Sequence, residues 1–269
     1  MKYVFTEDNL EAKQAQDAVI ELEYQDLITI FDEVDFKDTS EVKPRSFSSM
    51  QLRAENAGKA LIRNAYNNLL MISGSSNVDT IDLTLELLKD IANIEPTVAY
   101  APNKFECFGD EQNEGVFTRS GIVVMPSTHL LDHPKWLGMI DACLAQNKDL
   151  KLILCGDAQD CAALNLIWPT LDNILRADIV LEFPVKGALN TVASLVAYYA
   201  KRFDLKPFDK AAVRLLCSWC CRQSGDRRWL GLPEIRLRQL VLEACDFSKG
   251  EIVKEYDVLK ALGAQDFRV

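Results

Sequence analysis

Between Asn67 and Asp90 an apolar run, Leu69, Leu70, Met71 and Ile72, passes through Gly74 into a helical periodicity carried by Ile81, Leu85, Leu88 and Ile91. A strand that feeds a glycine turn and then a helix is the layout of a phosphate-binding loop. Backbone N–H groups and the positive helix end converge where a phosphate would sit. The turn itself reads Gly74-Ser75-Ser76-Asn77-Val78-Asp79-Thr80. A loop of the form GxxxxGK[ST] requires glycine where Val78 stands and lysine where Asp79 stands. A carboxylate at the lysine position repels the β- and γ-phosphates that a lysine attracts. The expectation is a nucleotide-motor scaffold that has lost the chemistry of its motor.

The flanking segments extend this layout. Met50 to Tyr66 predicts a helix with Leu52, Ala57, Ala60, Leu61 and Ala65 on its buried side. Pro96 to Tyr100 predicts a second strand, and the charged, glycine-bearing stretch from Pro102 to Ser120 predicts an exposed loop or hairpin. Gly121 to Pro126 is a short continuous apolar run suited to a sheet covered on both faces. In a nucleotide-hydrolysing protein the end of this strand carries an acidic pair, one residue for magnesium and one for the attacking water. Pro126 and Ser127 fill those places here, and neither supplies a carboxylate. A helix follows from Pro134 through Leu144, then a strand from Leu150 to Cys155 closing on Gly156-Asp157, a helix from Ala158 to Ile167 and a strand from Ala177 to Phe183. Strands alternating with helices in this way describe a doubly wound parallel sheet with its functional edge at the strands' C-terminal ends.

From Val185 onward the strand signal vanishes. Leu189 to Phe203, Lys210 to Arg222, Glu234 to Asp246 and Glu255 to Leu262 read as amphipathic helices, an all-helical subdomain. At the other end, residues 1–45 carry 12 Asp/Glu against 5 Lys/Arg. Leu10, Ala18, Leu22, Leu27, Ile28 and Phe31 show partial helical spacing there, which fits either a helix packed on the main body or a docking segment for a partner. Lys37 to Ser49 reads as a linker.

With a net charge of −10 and pI near 4.8, a general nucleic-acid binder is not expected, because phosphate neutralisation needs a clustered basic surface. No apolar run reaches membrane-spanning length and no apolar block follows Met1, so the expected location is the cytoplasm, with no membrane contact. The eight cysteines then read as reduced thiols. Cys217, Cys220 and Cys221 share one helical face, either as small buried side chains or, less simply, as zinc ligands lacking a second pair at the usual spacing. His129 and His133 belong to no metal or nucleophile constellation in the sequence.

An α/β nucleotide-loop core followed by a helical lid resembles the AAA+ ATPase module. More narrowly, the chain resembles the ATPase-like region of Lon-related putative ATP-dependent proteases. The match is carried by Asn68 to Ile72, Gly121 to Met125 followed by His129-Leu130-Leu131, Leu150 to Asp157, Phe208 to Val213, and Leu237-Arg238-Gln239, and it spans roughly residues 43–269. The resemblance implies a P-loop NTPase-like (AAA+) core over 46–184 and a lid over 185–269, after an N-terminal segment over 1–45. It places Gly74, Ser75 and Thr80 at the phosphate loop. Asp157 falls at the end of the strand bearing a γ-phosphate sensor, Arg176 near an arginine finger and Arg238 near the lid's sensor arginine. Plainer readings stand beside these: Asp157 as a helix cap, both arginines as surface charges.

The departures from the family pattern shape the functional expectation. The loop lysine and both acidic residues of the second motif are missing, and each loss raises a phosphoryl-transfer barrier by several kcal/mol. The Ser/Lys peptidase of Lon-type proteases is not in this sequence, so proteolysis by this chain alone is not expected. The leading expectation is a non-hydrolysing scaffold, substrate-recognition or assembly module. The alternative is the ATPase-like portion of an ATP-dependent protease whose peptidase lies elsewhere. ATP and Mg are implied by the resemblance alone. Expected partners are a protein substrate, a peptidase-bearing protein, or further copies of the chain.

Overall fold

The computed structural model describes residues 35–63, 67–92, 96–98, 104–110, 113–225 and 228–266. The helical spacing read within residues 1–34 lies outside the described residues. The chain forms two compact units, one of residues 46–180 and one that joins the stretch before residue 46 to residues 181–269.

In the first unit the apolar runs become parallel strands β1 (Leu69–Gly74), β2 (Thr97–Val98), β3 (Gly121–Pro126), β4 (Leu150–Asp157) and β5 (Leu175–Asp178). They lie in the order β2-β3-β4-β1-β5, with every pairing parallel. β1 therefore sits inside the sheet although it comes first in the described chain. Helix α1 (Leu52–Arg63) leads into β1, and α2 (Thr80–Ala92) carries the chain from β1 across to β2. After α3 (Lys104–Phe108), helices α4 (Ser127–Asp132), α5 (Leu137–Gln146) and α6 (Ala158–Ile167) connect β3 to β4 and β4 to β5.

Alternation along each strand divides the core between the two faces. Leu69, Met71, Val123, Met125, Leu152 and Leu154 pack with Phe117, Leu130, Trp136, Ile140, Leu164, Trp168 and Leu171. On the opposite face Ile72, Val124, Ile153 and Cys155 are buried. There the α2 side chain Thr84 meets Cys155, Oγ1 to Sγ, at 3.2 Å. Coverage on both sides explains why β1, β3 and β4 read as nearly unbroken apolar runs.

Several local expectations give way to tertiary packing. α1 turns Ala54, Gly58 and Leu61 inward and leaves Leu52 two-thirds exposed, a face rotated from the expected one. The stretch from 102 to 120 is more than an exposed loop: it contains α3 and a 3-10 turn, Val116–Thr118, with Cys107 and Phe117 fully buried and Phe108 stacked on Phe117 at 5.6 Å. The helix expected from Pro134 begins with a 3-10 turn, and α4 forms immediately after β3. The strand expected over 177–183 is two pieces, β5 in the parallel sheet and β6 (Glu182–Pro184) in the second unit.

The second unit contains α7 (Ala188–Arg202), α8 (Lys210–Gln223), α9 (Glu234–Phe247) and α10 (Glu255–Asp266). It is not wholly helical, because β6 pairs antiparallel with β7 (Trp229–Gly231). The 37–49 stretch is more than a linker. Thr39 N–H donates to the Phe208 carbonyl at 2.9 Å, Phe208 N–H returns a bond to Thr39 Oγ1 at 2.9 Å, and Arg45 N–H donates to the Ser194 carbonyl at 3.0 Å. All eight cysteines are free thiols. Cys217, Cys220 and Cys221 are buried along α8. No helix of the described residues is long and apolar enough to cross a membrane.

Candidate functional site at the carboxyl edge of the sheet

In an open parallel sheet, ligands bind outside the carboxyl ends of the strands where neighbouring connections depart in opposite directions. That point lies between β1 and β4. The β1 connection runs toward β2, whereas the β4 connection crosses to β5 on the other side of β1. Gly74 and Asp157 are direct register partners at these two strand ends. The sheet thus places Gly74 and Asp157 at one edge, with Ser75 and Thr80 in the turn and helix start that follow Gly74.

The turn between β1 and α2 is closed by its own atoms. Val78 N–H donates to the Ser75 carbonyl at 3.0 Å, and Asn77 N–H donates to Ser75 Oγ at 3.3 Å. Val78 is 6% exposed. A Cβ on Gly74 would stand 3.7 Å from Val78 Cβ, 3.7 Å from Ile179 Cβ and 2.8 Å from Thr80 Cγ2. Gly74 is therefore required by close packing, and the side chains of Val78, Thr80 and Ile179 surround it.

Asp79 serves the helix. Its Oδ1 accepts the Asp82 N–H at 3.0 Å and its carbonyl accepts the Leu83 N–H at 3.0 Å, the pattern of an N-cap. A helix N-terminus attracts anions through its unpaired N–H groups and its dipole. In α2 the chain's own carboxylate takes that place. Sequence reasoning treated Asp79 as a misplaced lysine, and the capping role is the constructive half of the same substitution. The Asp-x-x-Asp spacing ahead of an apolar periodicity was the available signal.

At the end of β3, Ser127 is fully buried, and its Oγ lies 1.9 Å from where a Cβ on Gly156 would be. The Cys161 thiol points to Ser127 Oγ at 3.8 Å. Burial raises the Cys161 pKa, opposed by that hydrogen bond. The ends of β3 and β4 are thus closely packed over Ser127. Asp157 caps α6 by accepting the Gln159 N–H at 2.8 Å, the plainer of its two readings. Ser73 Oγ donates to Asp178 on the neighbouring β5.

The remaining candidates each have partners of their own. Arg176 lies inside β5, in register with Met71 and three residues short of Gly74. Its guanidinium donates to the Leu171 carbonyl at 2.6 Å and to Asn165 Oδ1, so it is tied to the segment that follows α6. Arg238 belongs to the second unit. Its Nη1 stands 3.7 Å from Glu234 Oε1 one turn earlier on α9, and the same oxygen accepts the buried Tyr199 hydroxyl at 3.0 Å. His133 stacks on Trp136 at 4.3 Å and His129 meets the same indole edge-on at 5.4 Å, so both histidines act in aromatic packing. Among the described residues no three His, Cys, Asp or Glu side chains form a group that would hold a metal ion.

No protein-family model matches the sequence, and no curated protein matches it. Solved structures do. Thermotoga maritima RuvB, a Holliday junction branch migration motor, is 13% identical over 82% of this chain and 72% of its own, with a TM-score of 0.50. A closed-state complex of Hsp104 with ATPγS and FITC-casein is 15% identical, covering 82% of this chain and 43% of its own, with a TM-score of 0.53. The S. cerevisiae Hsp104–casein complex in its extended conformation is 12% identical over 85% of this chain and 44% of its own, at a TM-score of 0.52. This chain spans less than half the length of the Hsp104 chains. At such identities the likeness is one of fold: a parallel-sheet, AAA+ P-loop ATPase-like core followed by a helical segment.

Proposed function

We propose that this chain is an AAA+-like module that does not hydrolyse nucleotide and works by binding protein, as a scaffold, substrate-recognition or assembly unit related to the Lon-type group. The observation that carries the reading is the closed turn after β1. Val78 is buried at the position that should be an open glycine, and Asp79 caps α2 where a lysine should face phosphate. A polyphosphate entering this turn would meet a carboxylate already satisfying the helix end. Pro126 and Ser127, at the end of β3, offer no carboxylate for magnesium or water.

A polypeptide partner fits this chain better than a nucleic acid does. The net charge is −10, and Asp79, Asp157 and Asp178 crowd the carboxyl edge of the sheet, so DNA phosphates would be repelled over most approaches. Casein, the protein bound in the Hsp104 structures, illustrates the partner class the fold accommodates. A peptidase-bearing chain or further copies of this one are the other partners the reading admits.

Calorimetric titration of the full chain with ATP and with ADP, magnesium present, followed by a phosphate-release assay on the same sample, tests the proposal. The expected result is no binding heat at millimolar nucleotide and no release above the buffer rate. Micromolar binding with turnover would overturn it, because other residues would then be replacing the missing lysine and carboxylates.

A further inference from the structure

The chain has two histidines, and α4 brings both together. His129 lies within the helix and His133 is its C-terminal cap residue, so the stretch His129-Leu130-Leu131-Asp132-His133 has the spacing H-x-x-D-H. Two imidazoles four residues apart share one side of a helix, and a helical H-x-x-x-H pair is a chelating arrangement for a divalent cation. Such a pair becomes a site only where the two rings meet, because long side chains at this spacing also splay apart.

Here they meet. The ring centroids of His129 and His133 are 5.0 Å apart, with the planes at 67°. An ion bound to an imidazole nitrogen at about 2.0–2.1 Å lies about 3.2 Å from the ring centre, so two rings on one ion at about 90–110° have centroids about 4.5–5.2 Å apart. The observed separation falls inside that range. Trp136 holds both rings in place: His133 stacks on the indole at 4.3 Å and 12°, and His129 meets it at 5.4 Å. The indole is itself buried in the core, and Trp136 N–H donates to the His133 carbonyl at 2.9 Å. Much of the ordering that chelation requires is therefore supplied by packing before an ion arrives.

The donor set and the local charge select the kind of ion. Neutral imidazole suits Zn2+, Ni2+ and Cu2+, whereas Mg2+ and Ca2+ favour oxygen ligands. Both histidines are half-buried, and the Asp132 side chain between them is exposed. Its carboxylate offsets the positive charge of Lys135 two residues beyond His133, in a chain whose net charge is −10. Among the described residues no third His, Cys, Asp or Glu joins the pair. Two protein nitrogens leave the remaining coordination positions to water, which makes an open, exchanging site rather than a closed structural one.

We propose that His129 and His133 form a two-histidine site for a divalent transition cation of the Zn2+ and Cu2+ class, oriented by Trp136 and completed by water. The site is independent of the turn after β1 and of whether the chain hydrolyses nucleotide. The test titrates the full chain with CuCl2, and separately with ZnCl2, by calorimetry at about pH 7.5, where free imidazole is neutral. The Trp136 indole gives a second signal, because bound Cu2+ quenches the fluorescence of a tryptophan beside it. The expected result is one cation per chain at micromolar affinity, Cu2+ tighter than Zn2+, with partial tryptophan quenching by Cu2+. H129Q and H133Q should each weaken Cu2+ binding at least about tenfold, and H129Q/H133Q should abolish the quenching. No binding below millimolar metal would overturn the proposal. Binding and quenching unchanged in the variants would also overturn it, since the ion would then rest on carboxylates elsewhere. Melting temperatures of the metal-free variants show that each keeps its fold, and H133Q alone suffices for the test if H129Q does not.

Discussion

Replacing Gly156 by alanine probes the close packing of the β3 and β4 ends. The new methyl would lie 1.9 Å from Ser127 Oγ, 3.1 Å from Ser127 Cβ and 3.6 Å from Cys161 Sγ. Ordinary carbon–oxygen contact needs well over 3 Å, so the hydroxyl must leave its rotamer within a closely packed interior, Ser127 being fully buried. Overpacking of this kind costs about 1–3 kcal/mol. Removing the obstruction first should remove most of the cost. In S127A only the tight 3.1 Å approach to Cβ remains, so G156A in that background should cost less than about 1 kcal/mol. S127A alone loses a weak thiol hydrogen bond, worth about 0.5–1 kcal/mol. The double-mutant cycle should therefore show a coupling of about 1 kcal/mol or more. Native-state hydrogen exchange of the β4 amides from Leu152 to Cys155 reads the local stability directly. An equal loss from G156A in both backgrounds would refute the reasoning, because it would place the strain somewhere other than the Ser127 hydroxyl.

Gln51 donates from Nε2 to the Val180 carbonyl at 2.9 Å and accepts the Val180 N–H at 2.8 Å, acting as a side-chain partner for the strand end, so Q51L should cost about 1–3 kcal/mol and speed exchange at the Val180 amide. The Asp38 carboxylate is held below its ordinary value of 3.8, chiefly by the Ser40 hydroxyl. Its contribution to stability is complete above about pH 4 and is lost as pH falls through the lower folded value, and D38N should flatten that part of an acid-unfolding curve. Burial pushes the Cys155 thiol up to about 12 and Cys107 up to about 11. Iodoacetamide at pH 8 should leave both intact in the native protein over a time that fully alkylates the urea-unfolded chain, and rapid native labelling of Cys155 by mass spectrometry would contradict the packing of β4 against α2.

Much of the candidate site was legible because its signals are local. A glycine must end β1, and valine and aspartate occupy positions where a phosphate loop needs glycine and lysine. Pro126 and Ser127 follow β3 in the same readable way, and Asp157 was recognisable as a possible cap. What escaped the sequence reading was how the replaced residues are used. Capping of α2 by Asp79 depends on where the helix starts, and the close packing at Gly74 involves Ile179, more than a hundred residues away. Arg176 looked available because its two acceptors, Asn165 and the Leu171 carbonyl, are brought to it by the turn after α6.

The amino-acid sequence alone determined the elements whose pattern is set by burial on one or two faces: the apolar runs of β1, β3 and β4, the periodic helices α2 and α6, and the helices of the C-terminal unit. Tertiary structure decided matters that require partners distant in the chain. It set the order β2-β3-β4-β1-β5 and turned α1 about its axis to bury Ala54, Gly58 and Leu61. It divided the 177–183 run between two sheets, because β6 finds its hydrogen bonds on β7, about forty-five residues downstream. It also drew Cys107 and Phe117 from a charged, glycine-bearing segment into the core. Local periodicity reports which face of an element is apolar, and strand partners and register are selected by backbone hydrogen bonds and packing that exist only once the chain has closed on itself.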